Sequence, residues 1–217
     1  IDGIRLTDTE TGAVIETARY RATVSRAEGM TLTELTDLRA ERTLKMQNAG
    51  LTVVEERERE SWSGAAFGQP LRHTEQAATV QGNITRSGDT VVCNSEWSCP
   101  AAAVRKAVVF RADSPAITAH YSLRISRPLE ELTYVLDVNE ELLSVAGWFH
   151  PGPERYRART PAEAHFGEAP GYTYCWDGQT GIGLLAAAEQ SGIGALGHMS
   201  YPPDLHRIHL AVYSPPL

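Results

Sequence analysis

The sequence predicts an all-β fold, a large antiparallel β-sandwich, on three observations. After the turn Ala112-Asp113-Ser114-Pro115, residues Ile117, Ala119, Tyr121, Leu123 and Ile125 fall on one side of a strand. Thr118, His120, Ser122 and Arg124 fall on the other. That period of two marks an antiparallel strand with one buried face and one facing water or a ligand. The run–turn–run pattern recurs along the whole chain, giving about a dozen short strands. No helical periodicity alternates with them, which excludes an α/β arrangement.

Taken in order, Ile4–Leu6 and Val14–Glu16 flank the turn-forming Asp8–Gly12. Arg19–Ser25 alternates through Tyr20, Ala22 and Val24, and Arg26-Ala27-Glu28-Gly29 turns the chain into Thr31–Thr36. Asp37–Leu44 reads as a loop or a helical turn. Leu51–Glu56 is a strand running into the charged segment Glu55–Glu60, a solvated face or loop. Gly64–Pro70 breaks the pattern. Strands follow at Ala77–Thr85, Thr90–Trp97, Val104–Ala112, Ala116–Ser126, Leu132–Asp137 and Leu142–Phe149. Pro151–Pro170 is a long excursion, and Tyr172–Trp176, Gly183–Ala188 and Ile208–Tyr213 close the sheet.

A chain of 217 residues fits one all-β domain spanning residues 1–217. At this size roughly 70% of the unfolded surface can be buried, so a core needs no staples. A net charge of −7 argues against a nucleic-acid surface, which needs clustered Lys and Arg. No apolar run approaches the ~18 residues of a membrane span. A chain opening at Ile1 reads as processed or cut, with any targeting segment out of view. Cys93 and Cys99 would sit about 20 Å apart on an extended strand at ~3.3 Å per residue. A disulfide needs Cα atoms within ~7 Å, so free thiols are expected unless the chain folds back near Trp97. Asn83-Ile84-Thr85 is a formal glycosylation sequon.

Several segments resemble one superfamily. Glu16–Val24, Gly29, and then Leu32-Thr33-Glu34-Leu35-Thr36-Asp37-Leu38-Arg39 resemble the opening of the β-supersandwich, or galactose mutarotase-like, domains. These occur in mutarotases, in the C-terminal region of family 38 α-mannosidases and in several polysaccharide lyases. Phe110–Ile117 resembles the long central hairpin of that superfamily. Asp177–Leu185 and Leu210–Pro215 resemble its closing strands. The resemblance implies a supersandwich. In mannosidases and lyases it implies a portion whose catalytic machinery lies largely in another domain. In mutarotases it implies an enzyme with a histidine acid and a glutamate base. That pair has no clear counterpart here, because Glu189 is the only late glutamate and simply follows Gly183–Ala188.

Individual motifs exclude more than they assign. Gly181-Ile182-Gly183-Leu184-Leu185-Ala186 matches a dinucleotide fingerprint, but the short remainder of the chain, with Pro202-Pro203 in it, leaves no room for a βαβ unit. His206 and His209 lie three apart in a strand and so on opposite faces, while His198 could reach either. No His-Glu-x-x-His or Cys-x-x-Cys accompanies them, so neither metal nor cofactor is expected. No Gly-x-Ser-x-Gly is present. Glycoside hydrolysis would need two facing acids, and Asp137, Glu140, Glu141, Glu163, Glu168 and Asp177 are available without a way to pair them.

The softer signal is aromatic. Trp148, Phe149, His150, Arg155 and Tyr156 cluster at the start of the excursion. Tyr172, Tyr174, Trp176 and Asp177 follow it. Sugars stack their C–H faces on rings while carboxylates, Arg and His take the hydroxyls, and long loops are where such sites sit. The plain alternative makes Trp148 and Trp176 core anchors. Substrate-binding residues are therefore expected at Trp148, His150, Arg155, Trp176 and Asp177, with His73 and His120 as secondary candidates. The reading is a carbohydrate-recognising domain or the non-catalytic portion of a carbohydrate-active enzyme. Its partner is a carbohydrate ligand, not nucleic acid or membrane. The alternatives are a mutarotase-like epimerase and an assembly module binding a partner protein domain.

Overall fold

A computed structural model describes residues 3–57, 63, 68–139, 147–149, 168–170, 172–176, 181–185, 196–200 and 207–214. The first five strands, β1 (Arg5–Asp8), β2 (Gly12–Glu16), β3 (Tyr20–Ser25), β4 (Thr31–Asp37) and β5 (Arg42–Glu55), form an antiparallel meander. A short strand β6 (Arg72–Thr74) and a single 3-10 turn, Glu75–Ala77, lead into β7 (Gln81–Ser87), β8 (Thr90–Ser98), β9 (Ala102–Arg111) and β10 (Thr118–Ile125). These four make a second antiparallel sheet in the order β10-β9-β8-β7.

The chain then returns to the first sheet. Strand β11 (Leu129–Asn139) pairs with β5, and β16 (Leu196–Ser200) and β17 (Arg207–Ser214) extend the sheet outward to β13 (Glu168–Pro170). The order of this ten-stranded sheet is β1-β2-β3-β4-β5-β11-β17-β16-β13, with β6 on the far edge of β5. Strands β12 (Gly147–Phe149), β14 (Tyr172–Trp176) and β15 (Gly181–Leu185) form a third, three-stranded sheet. β14 runs close to β16 and β17.

Two apolar clusters fill the space between the large and the four-stranded sheets. One joins Ala13, Ile15, Tyr20, Ala22 and Val24 of β2 and β3 to Val91, Cys93 and Phe110 of β8 and β9. The other joins Leu51, Val53 and Leu129 to Trp97, Ala102 and Val104. Each set sits at alternate positions of its strands, because successive side chains of a strand point to opposite faces. The fold is thus an all-β antiparallel sandwich, as the periodicity predicts.

Details differ from the sequence reading for physical reasons. β10 keeps the predicted alternation, but it is an edge strand, so Ala119 and Ile125 are exposed where a buried face is expected. Residues 42–50, read as loop or helical turn and as unassigned chain, belong to the 14-residue strand β5. Its alternation is masked by a register shift opposite Asp137 and Val138, which pair with Asn48 and Met46. The bulge leaves Gln47 extra and lets Leu44 and Met46 stay buried on one side of it and Leu51 and Val53 on the other. Strands β6, β13 and β16 are too short to show a periodicity. Cys93 and Cys99 carry no disulfide, and burial pushes the Cys93 thiol up to about 11.

Candidate functional site

The middle of the large sheet has two unlike faces. Toward the four-stranded sheet, β5 and β11 present Leu51, Val53, Leu129, Leu132 and Tyr134. On the other face, the alternate residues are Thr52, Thr133 and Asp137, interrupted by Val54 and Val135. They are buried all the same: Asp137 is 1% exposed and Thr133 is 3%. Burying polar side chains costs free energy unless they are hydrogen-bonded, so such a face is not a default of core packing. The Thr133 hydroxyl donates to the Glu131 carboxylate.

Register extends this polar face across the sheet. One row runs Thr74–Thr52–Thr133–Tyr213–Leu196 through β6, β5, β11, β17 and β16. The next runs Val135–Ala211–His198–Glu168 through β11, β17, β16 and β13. A third runs Asn48–Asp137–His209–Ser200 through β5, β11, β17 and β16. A carboxylate, an imidazole and a hydroxyl therefore occupy directly opposed positions on three neighbouring strands. The bulge at the Asn48 end of that row is a feature often found beside sites that re-aim a side chain.

The sandwich interior holds a contrasting polar cluster. Lys106 lies on the apolar side of β9, between Val104 and Val108, and is 4% exposed. Its Nζ pairs with Glu75 Oε1 and donates to the carbonyls of Gly29 (3.2 Å) and Met30 (2.9 Å). Glu75 Oε2 accepts the Tyr121 hydroxyl (2.7 Å) and the Leu51 N–H (3.0 Å). Glu75 thereby fills the edge of β5 between its pairings with β4 and β6. Gly29 (φ 70°) and Met30 (φ 57°) form a turn with both central residues left-handed, and Lys106 ties down both carbonyls. Burial, then the nearby Glu75 carboxylate, holds the Tyr121 and Tyr134 phenols above the usual range. Every group in the cluster is paired and Glu75 is wholly buried, so it is a structural tie and not a reactive site.

At the end of β5, Glu55 Oε1 lies 2.7 Å from His73 Nε2, and Oε2 lies 3.6 Å from Arg127. A shallow groove of about 350 Å³ runs beside it, lined by Glu55, Glu56, Arg57, Arg127 and Pro128. Arg57 is engaged by Glu130 at 2.8 Å. His73 is thus a hydrogen-bond partner of Glu55. His120 is exposed on the outer side of β10.

The predicted sugar-site residues divide. Trp148 and Trp176 lie on the paired strands β12 and β14, with Trp148 opposite Cys175 and Trp176 opposite Gly147. By this register Tyr172, Tyr174 and Trp176 share a side of β14, and Trp148 falls on the opposite side of the ladder. His150, Arg155 and Asp177 lie outside the described residues, as does His206. Sequence reasoning named Asp137, Glu168, His198 and His209 but could not group them. The signal that locates them is in β17, where Arg207, His209, Ala211 and Tyr213 alternate with Ile208, Leu210 and Val212.

Neither a protein-family model nor a curated protein matches the chain. Among solved structures it is similar to a galactose mutarotase-like protein from Clostridium acetobutylicum, with 9% identity and a TM-score of 0.47. That match covers 97% of this chain and 87% of the other. It is also similar to 4-α-glucanotransferase from Thermococcus litoralis, with 11% identity and a TM-score of 0.55. The second likeness shows a β-sandwich fold shared with part of that enzyme. The glucanotransferase match covers all of this chain but 38% of that enzyme, so the sandwich spans well under half its length. The resemblance to family 38 α-mannosidases finds no support in these structures.

Proposed function

We propose that the chain is a carbohydrate-recognising β-sandwich domain, serving as the non-catalytic portion of a carbohydrate-active enzyme. The observation that carries this reading is the buried polar face of β5 and β11, which register continues onto β17 and β16, with the aromatic strand β14 running close to the last two. Hydroxyl, carboxylate and imidazole positions beside aromatic ones are what a sugar's mixed polar and apolar surface requires. The fold likeness to one part of a glucanotransferase supports the same reading. The ligand contacts proposed are His150, Arg155 and Asp177 together with Trp176, or with Trp148 where the ligand lies on the other side of the ladder, and Thr52 and Thr133 on the sheet side.

The test is an NMR titration with a panel of monosaccharides and uronic-acid oligomers, read at the tryptophan indoles. The Trp148 or Trp176 signals are expected to move. Trp97, 5% exposed in the sandwich core, is an internal control that should stay still. No movement at Trp148 or Trp176 would overturn the sugar site. Catalysed exchange of anomers by the same sample would replace the binding reading with the epimerase one.

A further inference from the structure

The groove at the end of β5 borders the polar face of β11. On that face β11 carries Asp137, Thr133 and Glu131 at alternate positions, and the Thr133 hydroxyl donates to Glu131. The ladder then slips. Leu129 pairs with Glu55 and Glu131 with Val54, which leaves Glu130 as an extra residue in β11. A bulge of this kind re-aims a side chain, and the Glu130 carboxylate accepts Arg57 Nε–H at 2.8 Å and Nη2–H at 2.5 Å. Arg57 in turn lines the groove with Glu55, Glu56, Arg127 and Pro128. Thr133 and Pro128 are five residues apart, at most about 17 Å along a strand at ~3.4 Å per residue, which is longer than one sugar ring.

We propose that this groove holds one uncharged unit of an oligosaccharide that lies along β11, with Arg127 as the donor to its hydroxyls. The inference rests on the sugar-binding reading above and names its ligand as a neutral chain and not a single sugar. The Arg127 side chain is 62% exposed, and its carboxylate neighbour Glu55 stands at 3.6 Å, beyond hydrogen-bond length, so its N–H groups are open to a ligand. Glu55 is held in place beneath it: its carboxylate is 11% exposed and meets His73 Nε2 at 2.7 Å. Pro128, exposed beside Arg127, offers an apolar ring to a sugar's C–H face. Charge sets the ligand class. Arg57 and Arg127 are outnumbered by Glu55, Glu56 and Glu130, so a carboxylated or phosphorylated sugar would meet net negative charge and a neutral one does not. A groove of about 350 Å³ is at the small end of ligand clefts, suited to one unit of a chain and not to the whole of it.

The experiment titrates the 217-residue chain by calorimetry with glucose, maltose, maltotriose and maltohexaose, with the matching cello-oligosaccharides, and with a uronic-acid oligomer. Affinity should rise with length in one of the neutral series, and the uronic-acid oligomer should bind more weakly than the neutral chain of equal length. Arg127→Ala should weaken binding of the longest neutral ligand about tenfold, the loss of one hydrogen bond from a charged donor. Arg127→Lys, which keeps the charge and loses the planar fork, should recover only part of it. Arg105→Ala, at a side chain 76% exposed on the outer side of β9, should bind like the parent. Because Arg127 is largely exposed, both of its variants should unfold with the parent, which a denaturation curve checks. Equal affinity for glucose and the longest chains, a gain with length that survives Arg127→Ala, or a preference for the uronic-acid oligomer overturns the proposal and leaves the indole site standing. Absence of all sugar binding by the parent overturns both this site and the reading on which it rests.

Discussion

The two faces of β5 and β11 treat buried polarity in opposite ways. Toward the four-stranded sheet, the buried charges are gathered into one closed set. Lys106 gives its donors to Glu75, Gly29 and Met30, and Glu75 accepts from Lys106, Leu51 and Tyr121. On the far face, polar residues run in rows that cross from strand to strand, from Asn48 to Ser200 and from Thr74 to Tyr213. A closed set has nothing left to offer a ligand and serves to hold geometry. Rows spread over five strands do nothing for a single turn or crossing, and they suit recognition of an extended polar surface. Burial of charge does not by itself mark function. The way the charges are satisfied does.

The largest test of that distinction is Lys106→Met. It leaves Glu75 charged, buried and short of its cation, and removing one partner of a buried pair costs about 3–5 kcal/mol. Chemical denaturation should show that loss, and adding Glu75→Gln should recover much of it. A loss below about 1 kcal/mol would mean that the cluster holds no geometry, and the contrast between the faces would collapse.

Alkaline titration probes the same interior. Burial pushes the Tyr20 phenol up to about 12, and Tyr121 and Tyr134 are raised too. The folded chain keeps these protons, while the unfolded chain releases them near pH 10. Stability therefore stays intact below pH 10 and falls as pH rises toward 12. Tyr20 alone should account for about 2–3 kcal/mol of that fall. Denaturation midpoints at stepped pH should show the decline, and Tyr20→Phe should flatten it. A pH-independent midpoint between 10 and 11 would contradict the burial of these phenols.

Tyr121→Phe should cost about 1–3 kcal/mol, because it removes one hydrogen bond to a buried carboxylate. The loss should shrink in the Glu75→Gln background, where the acceptor is no longer charged. Equal losses in both backgrounds would show that Tyr121 acts through packing against Tyr134 alone.

Legibility in the sequence differs between the two faces. The sandwich side is written in alternation: Ala102, Val104 and Phe110 against Arg105 and Arg111, or Tyr20, Ala22 and Val24 against Arg21. Within that pattern Lys106 stands at a core position, and a lysine there asks for a buried acid, yet Glu75 lies far earlier in the chain, in a turn with no periodicity. The far face is written only half. β17 shows its polar side plainly as His209 and Tyr213, but nothing in a single strand states that Asp137 will lie across from His209 or His198 from Glu168. That depends on register, which is set by strand pairing over long stretches of intervening chain and by the bulge at Gln47. Grouping of residues across strands is a property of the sheet and not of any segment, so the chemistry is visible residue by residue and its assembly is not.

The smallest expected effect sharpens the comparison most. Thr133→Val keeps the shape of a β-branched side chain and removes one hydroxyl, which donates to Glu131. Glu131 is half-buried, so water can replace the lost donor, and the cost should stay near the low end of about 0.5–1.5 kcal/mol. Thr52→Val, directly across the ladder, should behave alike. If the far face is built for recognition, both variants melt close to the parent and yet bind sugar more weakly in the indole titration. A Thr133→Val loss exceeding that of Tyr121→Phe would reverse the assignment. The hydroxyl rows would then be holding the sheet together as firmly as Glu75 does, and the polarity of the far face would belong to structure as well.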